Sequence, residues 1–173
     1  MNRREFTAGL VLVVGALLIG AVALLGSRTG VDPVPHGDQL GQEAGESFDD
    51  YAARAASTLD SAPADEPAFA LVTFSRELTP EQASAVLEPV ARVSAVAAAG
   101  ASPEPVGEPA AGRDRTEIFR IAVGEKIVGA VVRDTGRALR FAAADERIAA
   151  VEVLPPDAVW GAFGMRPVDI QAE

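Results

Sequence analysis

Cysteine is absent from the 173 residues, and lysine, histidine, tryptophan and tyrosine occur once each. Without cysteine there is no disulfide framework, no thiolate metal site and no thiol nucleophile. The single lysine, Lys126, has no glycine-rich loop before it. G-x-S-x-G, H-E-x-x-H, S-x-x-K and G-x-x-x-x-G-K-[ST] are all missing, so the familiar hydrolase, metalloprotease and nucleotide-binding signatures are excluded. His36, between Asp32 and Asp38, has no second imidazole or thiolate to share a metal with and reads as a solvated side chain. Ser75, Asp134, Asp145 and Glu146 read as strand-edge, cap or turn residues. Neither a catalytic residue, a cofactor nor a metal is expected. Excess positive charge is lacking too: 15 basic against 25 acidic residues leave a formal charge of −10, which speaks against binding nucleic acid.

What the chain does have is one long apolar run. "TAGLVLVVGALLIGAVALLG", residues 7 to 26, holds no charge, and as a helix it reaches about 30 Å, the hydrocarbon thickness of a bilayer. Its length favours a retained transmembrane helix over a cleaved signal peptide, although Ala21-Val22-Ala23 has the small-x-small form of a cleavage site. Arg3 and Arg4 precede it, so residues 1 to 6 are expected in the cytoplasm and the rest of the chain outside the plasma membrane. Ala16, Gly20 and Ala23 share one face, on which a second copy could pack to give a homodimer.

Residues 27 to 66 carry nine acids against Arg28 and Arg54 and read as an acidic stalk, flexible from 27 to 46. Within it Phe48, Tyr51, Ala52, Ala55 and Leu59 recur at helical spacing, which predicts an amphipathic helix over 47–59. "SAPADEP" then marks the start of an extracytoplasmic domain over 67–156.

That domain reads as two βαβ units. Ala68 to Arg76 alternates as a strand. Thr79, Pro80 and Gln82 form a capping box, Ala83, Val86 and Leu87 give a helical stripe, and "VSAVAAAG" is a second strand. Laying Arg133 on Arg76 places "IVGAVVR" on "ALVTFSR" and "RIAAV" on "RVSAV". The β-branched run from Ile127 and the break at Gly136 then predict a strand, a helix over 136–144 and a fourth strand over 149–154, rather than one long helix. "TEIFRIAV" is expected as an extra strand in a hairpin, turned at Gly124. The predicted fold class is α+β, a ferredoxin-like duplicated βαβ sandwich behind one transmembrane helix.

Such a sheet needs a cover on its second face. The candidates are the hairpin, the 47–59 helix, a second copy, or the tail over 157–173 with Trp160, Phe163 and Met165. Folding back is favoured for the tail, with docking to a partner as the alternative. Arg133, Arg137 and Arg140 form a local basic patch suited to an anionic partner, either an acidic envelope protein or an anionic polymer.

The short basic N-terminus, the single span, "FALVTFSRELTPEQ", "IVGAVVRDT", "AAVEVLPP" and the closing "RPV" together resemble uncharacterised single-pass envelope proteins of high-GC actinobacteria. The resemblance covers about residues 67 to 168, departs in the short "GASPEPVGEPAAGRDR" between the halves, and implies a fold and a location but no activity. The expected function is a membrane-anchored, non-catalytic protein-interaction module of the cell envelope. A domain that binds or senses a small ligand is the alternative.

Overall fold

The computed structural model describes residues 37–109 and 112–170, and the compact unit of the chain starts at Pro35. The expected span, Ala16, Gly20 and Ala23 on it, and His36 lie outside the described residues. Among the described residues no helix is long and apolar enough to cross a membrane.

The elements run β1 (Gln39–Leu40), α1 (Phe48–Ser61), β2 (Pro67–Leu78), α2 (Pro80–Val86), β3 (Arg92–Ala97), β4 (Glu104–Pro105), α3 (Arg115–Val123), β5 (Ile127–Thr135), α4 (Gly136–Ala142), β6 (Ile148–Val153) and β7 (Gly164–Met165). Five strands form one antiparallel sheet in the order β4-β3-β5-β2-β6, and β1 pairs with β7 in parallel. The fold is therefore α+β, as the sequence predicts.

Alternation along the strands divides the core between two faces. Ala68, Ala70, Val72 and Phe74 of β2 face the same cluster as Ala83 and Val86 of α2, Phe119 of α3, and Leu139 and Ala142 of α4. Phe69 and Leu71 face the other way, with Val131, Leu154 and Phe163. Both short crossover helices start on a threonine. The Thr79 hydroxyl accepts from the Gln82 N–H in a full capping box, and Thr135 accepts from Ala138 N. One offset along the chain carries Thr79 to Thr135, α2 to α4 and β3 to β6; both helices have seven residues and both strands six. Gly136 replaces Pro80 because the turn after α1 passes there: a Cβ on Gly136 would lie 2.5 Å from the Pro63 carbonyl oxygen, which accepts the Gly136 N–H.

Two expectations are corrected. "TEIFRIAV" is not a hairpin strand but helix α3. Asp114 caps it by accepting from Glu117 N at 2.8 Å, only Phe119 is fully buried, and Ala122 and Val123 pack on the core at i+3 and i+4. Gly124 does turn the chain, at φ +79°, as the end of that helix. The fifth strand comes instead from β4, within the short segment between the halves. Second, the flexible spacer does not extend to residue 46. Leu40 is fully buried, β1 is paired, and the chain from Asp38 onward belongs to the folded unit.

Helix α1 runs from Phe48 to Ser61 with Ser47 as its cap and closes the β6 edge of the sheet. Leu59 joins the helix-side core, while Tyr51 and Ala55 pack with Ala150. The Thr58 hydroxyl accepts the outward N–H of Val153 at 2.8 Å, so this edge has a side chain in place of a neighbouring strand. At the opposite edge β4 is two residues long and contains Pro105, which has no N–H to offer a further strand.

Candidate functional site

The second face of the sheet is built around Phe69. Register places Phe69 opposite Arg133 on β5, and Arg133 opposite Arg92 on β3, so the three side chains form one row on that face. The tail folds back onto this row. Phe163 stacks on Phe69 with ring centroids 5.3 Å apart, Trp160 on Phe69 at 5.6 Å, and Trp160 meets Phe163 edge-on at 5.9 Å. The Arg133 guanidinium lies 5.6 Å from the Phe69 centroid, within cation–π range.

The sequence-predicted residues thus fall into three groups. Trp160 remains 37% exposed beside Val159 at 64%, with Arg133 adjacent through Phe69. Phe163, by contrast, is buried in the chain's own core, and Met165 is half-buried in β7 opposite Leu40. Phe163 supports the surface from beneath rather than presenting itself to a partner. The basic patch does not hold together. Arg140 donates to the carbonyls of Leu59 and Ala62 at 2.8 and 3.1 Å, closing the C-terminus of α1, and Arg137 pairs with Asp65 at 2.6 Å. Neither shares the face of Arg133.

In their place stands Arg92, which sequence reasoning did not assign. Two guanidiniums directly across a strand pair repel. Arg92 is partly offset by Glu108 at 3.5 Å, whereas Arg133 has no carboxylate partner among the described residues. An exposed indole, an exposed valine and two adjacent cations, one without a counter-charge, suit an anionic segment that also carries apolar groups.

A second polar centre lies where the chain from Asp38 to Glu46 crosses α1 and β6. Glu152 is only 3% exposed. Its carboxylate accepts from the Gly41 N–H at 2.6 Å and from Arg54. Arg54 also donates to both Glu46 oxygens at 2.9 Å and to the Gly41 carbonyl at 3.0 Å, and it lies over the Tyr51 ring. Burial pushes the Glu152 carboxyl above the usual carboxylate range, against the pull of Gly41 and Arg54. Arg54 and the Glu43 N–H hold Glu46 down at about 2. Burial likewise raises the Tyr51 phenol, opposed by its hydrogen bond with Thr73 at 3.3 Å. The signal for this centre was one acid, Glu152, inside the apolar strand "AAVEVL". Beside it opens a cleft of about 650 Å³, with Asp38, Gln39 and Gly41 on one wall and Arg54, Thr58 and Glu152 on the other.

No protein family, no characterised protein and no solved structure matches this chain.

Proposed function

We propose that this protein is a single-pass, membrane-anchored docking module of the bacterial cell envelope, with its folded domain outside the plasma membrane. Its partner is an acidic segment of another envelope protein, held without catalysis. The observation that carries the reading is the in-register row Phe69, Arg133, Arg92 with the half-exposed Trp160 stacked on it. An acidic segment would relieve the Arg92–Arg133 repulsion while its apolar groups cover Trp160 and Val159. The apolar run from Thr7 to Gly26 and the basic residues before it support the anchor and its orientation. The architecture in this reading is a duplicated ferredoxin-like sandwich. It is supported by the constant offset between the two halves and by the strand order, in which the first and third strands of the repeat, β2 and β5, are central.

Photo-crosslinking from position 159 in intact cells tests the docking surface. The expected outcome is a discrete adduct that disappears in Arg133→Glu and Arg92→Glu; an adduct indifferent to both charge reversals would sink it. Protease protection tests the location, since residues after 37 should be digested from outside the membrane. Trp160 is the only tryptophan, so its emission reports binding directly.

The cleft beside Glu152 favours a second reading, a small polar ligand held between the segment at Gly41 and helix α1. Thermal stabilisation by a metabolite, lost in Arg54→Ala but kept in Arg133→Glu, would select that reading instead.

A further inference from the structure

We propose that residues 38–46 form a releasable strap, latched by Glu152, whose opening uncovers an apolar socket continuous with the Trp160 surface. Only Leu40 and Gly41 of the strap are buried. Leu40 occupies a socket made with Phe69, Leu71, Leu154 and Phe163, the last of which touches Trp160. The strap is held at separate points rather than by a continuous ladder. Gly164 N–H donates to the Asp38 carbonyl at 2.9 Å, Arg166 N–H to the Leu40 carbonyl at 2.8 Å, Gly41 N–H to Glu152 at 2.6 Å and Asp169 N–H to the Gln42 side chain at 2.9 Å, while Arg54 of α1 reaches the Gly41 carbonyl and both Glu46 oxygens. Between the strap and α1 lies the open cleft, bridged by Arg54, so the strap is not packed along its whole length.

Its ends are built to turn. Gly37 and Gly45 have φ of +92° and +81°, the region that favours glycine, and a Cβ at either would meet nothing within 4 Å. Crowding does not explain these two glycines; backbone conformation does. At Gly41, φ +101°, crowding adds to conformation: a Cβ there would overlap the Arg166 carbonyl oxygen, so the strap lies directly on the tail at its latch. The strap is also the only covalent route from the apolar run to the domain. Opening it would enlarge the apolar surface at Trp160 without disturbing the helix-covered core. That consequence rests on the docking reading above, whereas the strap itself is tested with no partner present.

Hydrogen exchange on the full chain is the test. Amides of Gly41, Gly164 and Arg166 are expected to exchange together, at least about tenfold faster than those of Leu71 and Val72. Gln39→Cys with Gly164→Cys supplies a lock, because a Cβ on Gly164 would lie 3.3 Å from Gln39 Cγ and the chain has no other cysteine. Oxidation should slow the strap amides to the rate of β2, and reduction should restore them. Glu152→Ala should speed them by about tenfold or more while β2 is unchanged, whereas Glu152→Gln, whose one amide oxygen can still accept from the Gly41 N–H at the loss of the Arg54 contact, should speed them less than Glu152→Ala does. The strap is refuted if its amides exchange at the rate of β2 in the native chain, or if oxidising the lock leaves them unaltered. Should Glu152→Ala fail to fold, the lock decides alone. Loss of the crosslink from position 159 with exchange as expected would remove the docking reading and leave the strap in place.

Discussion

On one face of the sheet Ala70, Val72 and Phe74 of β2 meet aliphatic side chains from helices, while on the other Phe69 and Leu71 meet an irregular tail and a two-residue strand. The first cover is regular structure with its own hydrogen bonds and caps. The second has few internal bonds and relies on three aromatic rings, one leucine and an ion pair buried only at its Glu152 end. Regular elements resist local opening because their backbone bonds cooperate, whereas a tail held at isolated points can leave in pieces. The difference separates the part of the molecule that carries global stability from the part free to change its contacts.

Deleting matched amounts of core on the two faces breaks or sharpens that contrast most strongly. Leu139→Ala, at a fully buried site in the helix-covered core, is expected to cost about 3–5 kcal/mol of unfolding free energy, read from the denaturant curve of the full chain. Leu40→Ala should cost only about 1–3 kcal/mol, with its effect on exchange confined to the strap and tail. Equal losses with global loosening in both would erase the distinction. Next is the latch. Glu152→Ala leaves the Gly41 N–H without an acceptor and Arg54 short of one, and is expected to cost about 2–3 kcal/mol; Glu152→Gln, which keeps one of the two acceptors, should cost about 1–2. At the β6 edge, Thr58→Val removes the acceptor for Val153 N–H, for about 1–2 kcal/mol by the same unfolding curve. Smaller still, Thr79→Ala and Thr135→Ala each remove one N-cap and should cost about 1 kcal/mol apiece.

pH separates the two acids of the latch. Because burial raises the folded Glu152 value, its stabilising contribution is present below the ordinary glutamate value of about 4.3 and is lost as pH rises through the raised folded value. Stability of the native chain relative to Glu152→Gln should therefore decline from acid toward neutral pH. Glu46, held at about 2, behaves oppositely: its contribution is present above the ordinary range and is lost as pH falls toward that value. A parallel pH profile for native and Glu152→Gln chains would show that Glu152 is not the group responsible.

Much of the helix-covered half was legible because its signals are local. The Thr79 capping box, the stripe Ala83, Val86 and Leu87, and the alternation along β2 and β5 each lie within a few residues, and α1 was predicted to within two residues of its observed ends. α3 was misread because Ile118, Phe119, Ile121 and Val123 make a β-branched and aromatic run; the Asp114-to-Glu117 cap was the better guide. The second face was less legible, since its contacts join distant segments. Nothing near Arg133 in sequence announces Arg92 or Phe69, and only strand register brings them into one row. Leu40 looked like an isolated apolar residue in a polar spacer because its socket is made by residues beginning at Phe69 and ending at Phe163.

Helix α1 bears on how the chain can be cut. It covers Ile148–Val153, a six-residue strand with Glu152 as its only charge, and Thr58 occupies the N–H that would recruit another strand. A chain truncated after α1 would present that strand bare, a short, β-prone segment with low charge and no proline, the type that pairs copy to copy into aggregates. The helix thus serves as a built-in solubility guard, and dividing lines for expression belong before Pro35, not at Ala62.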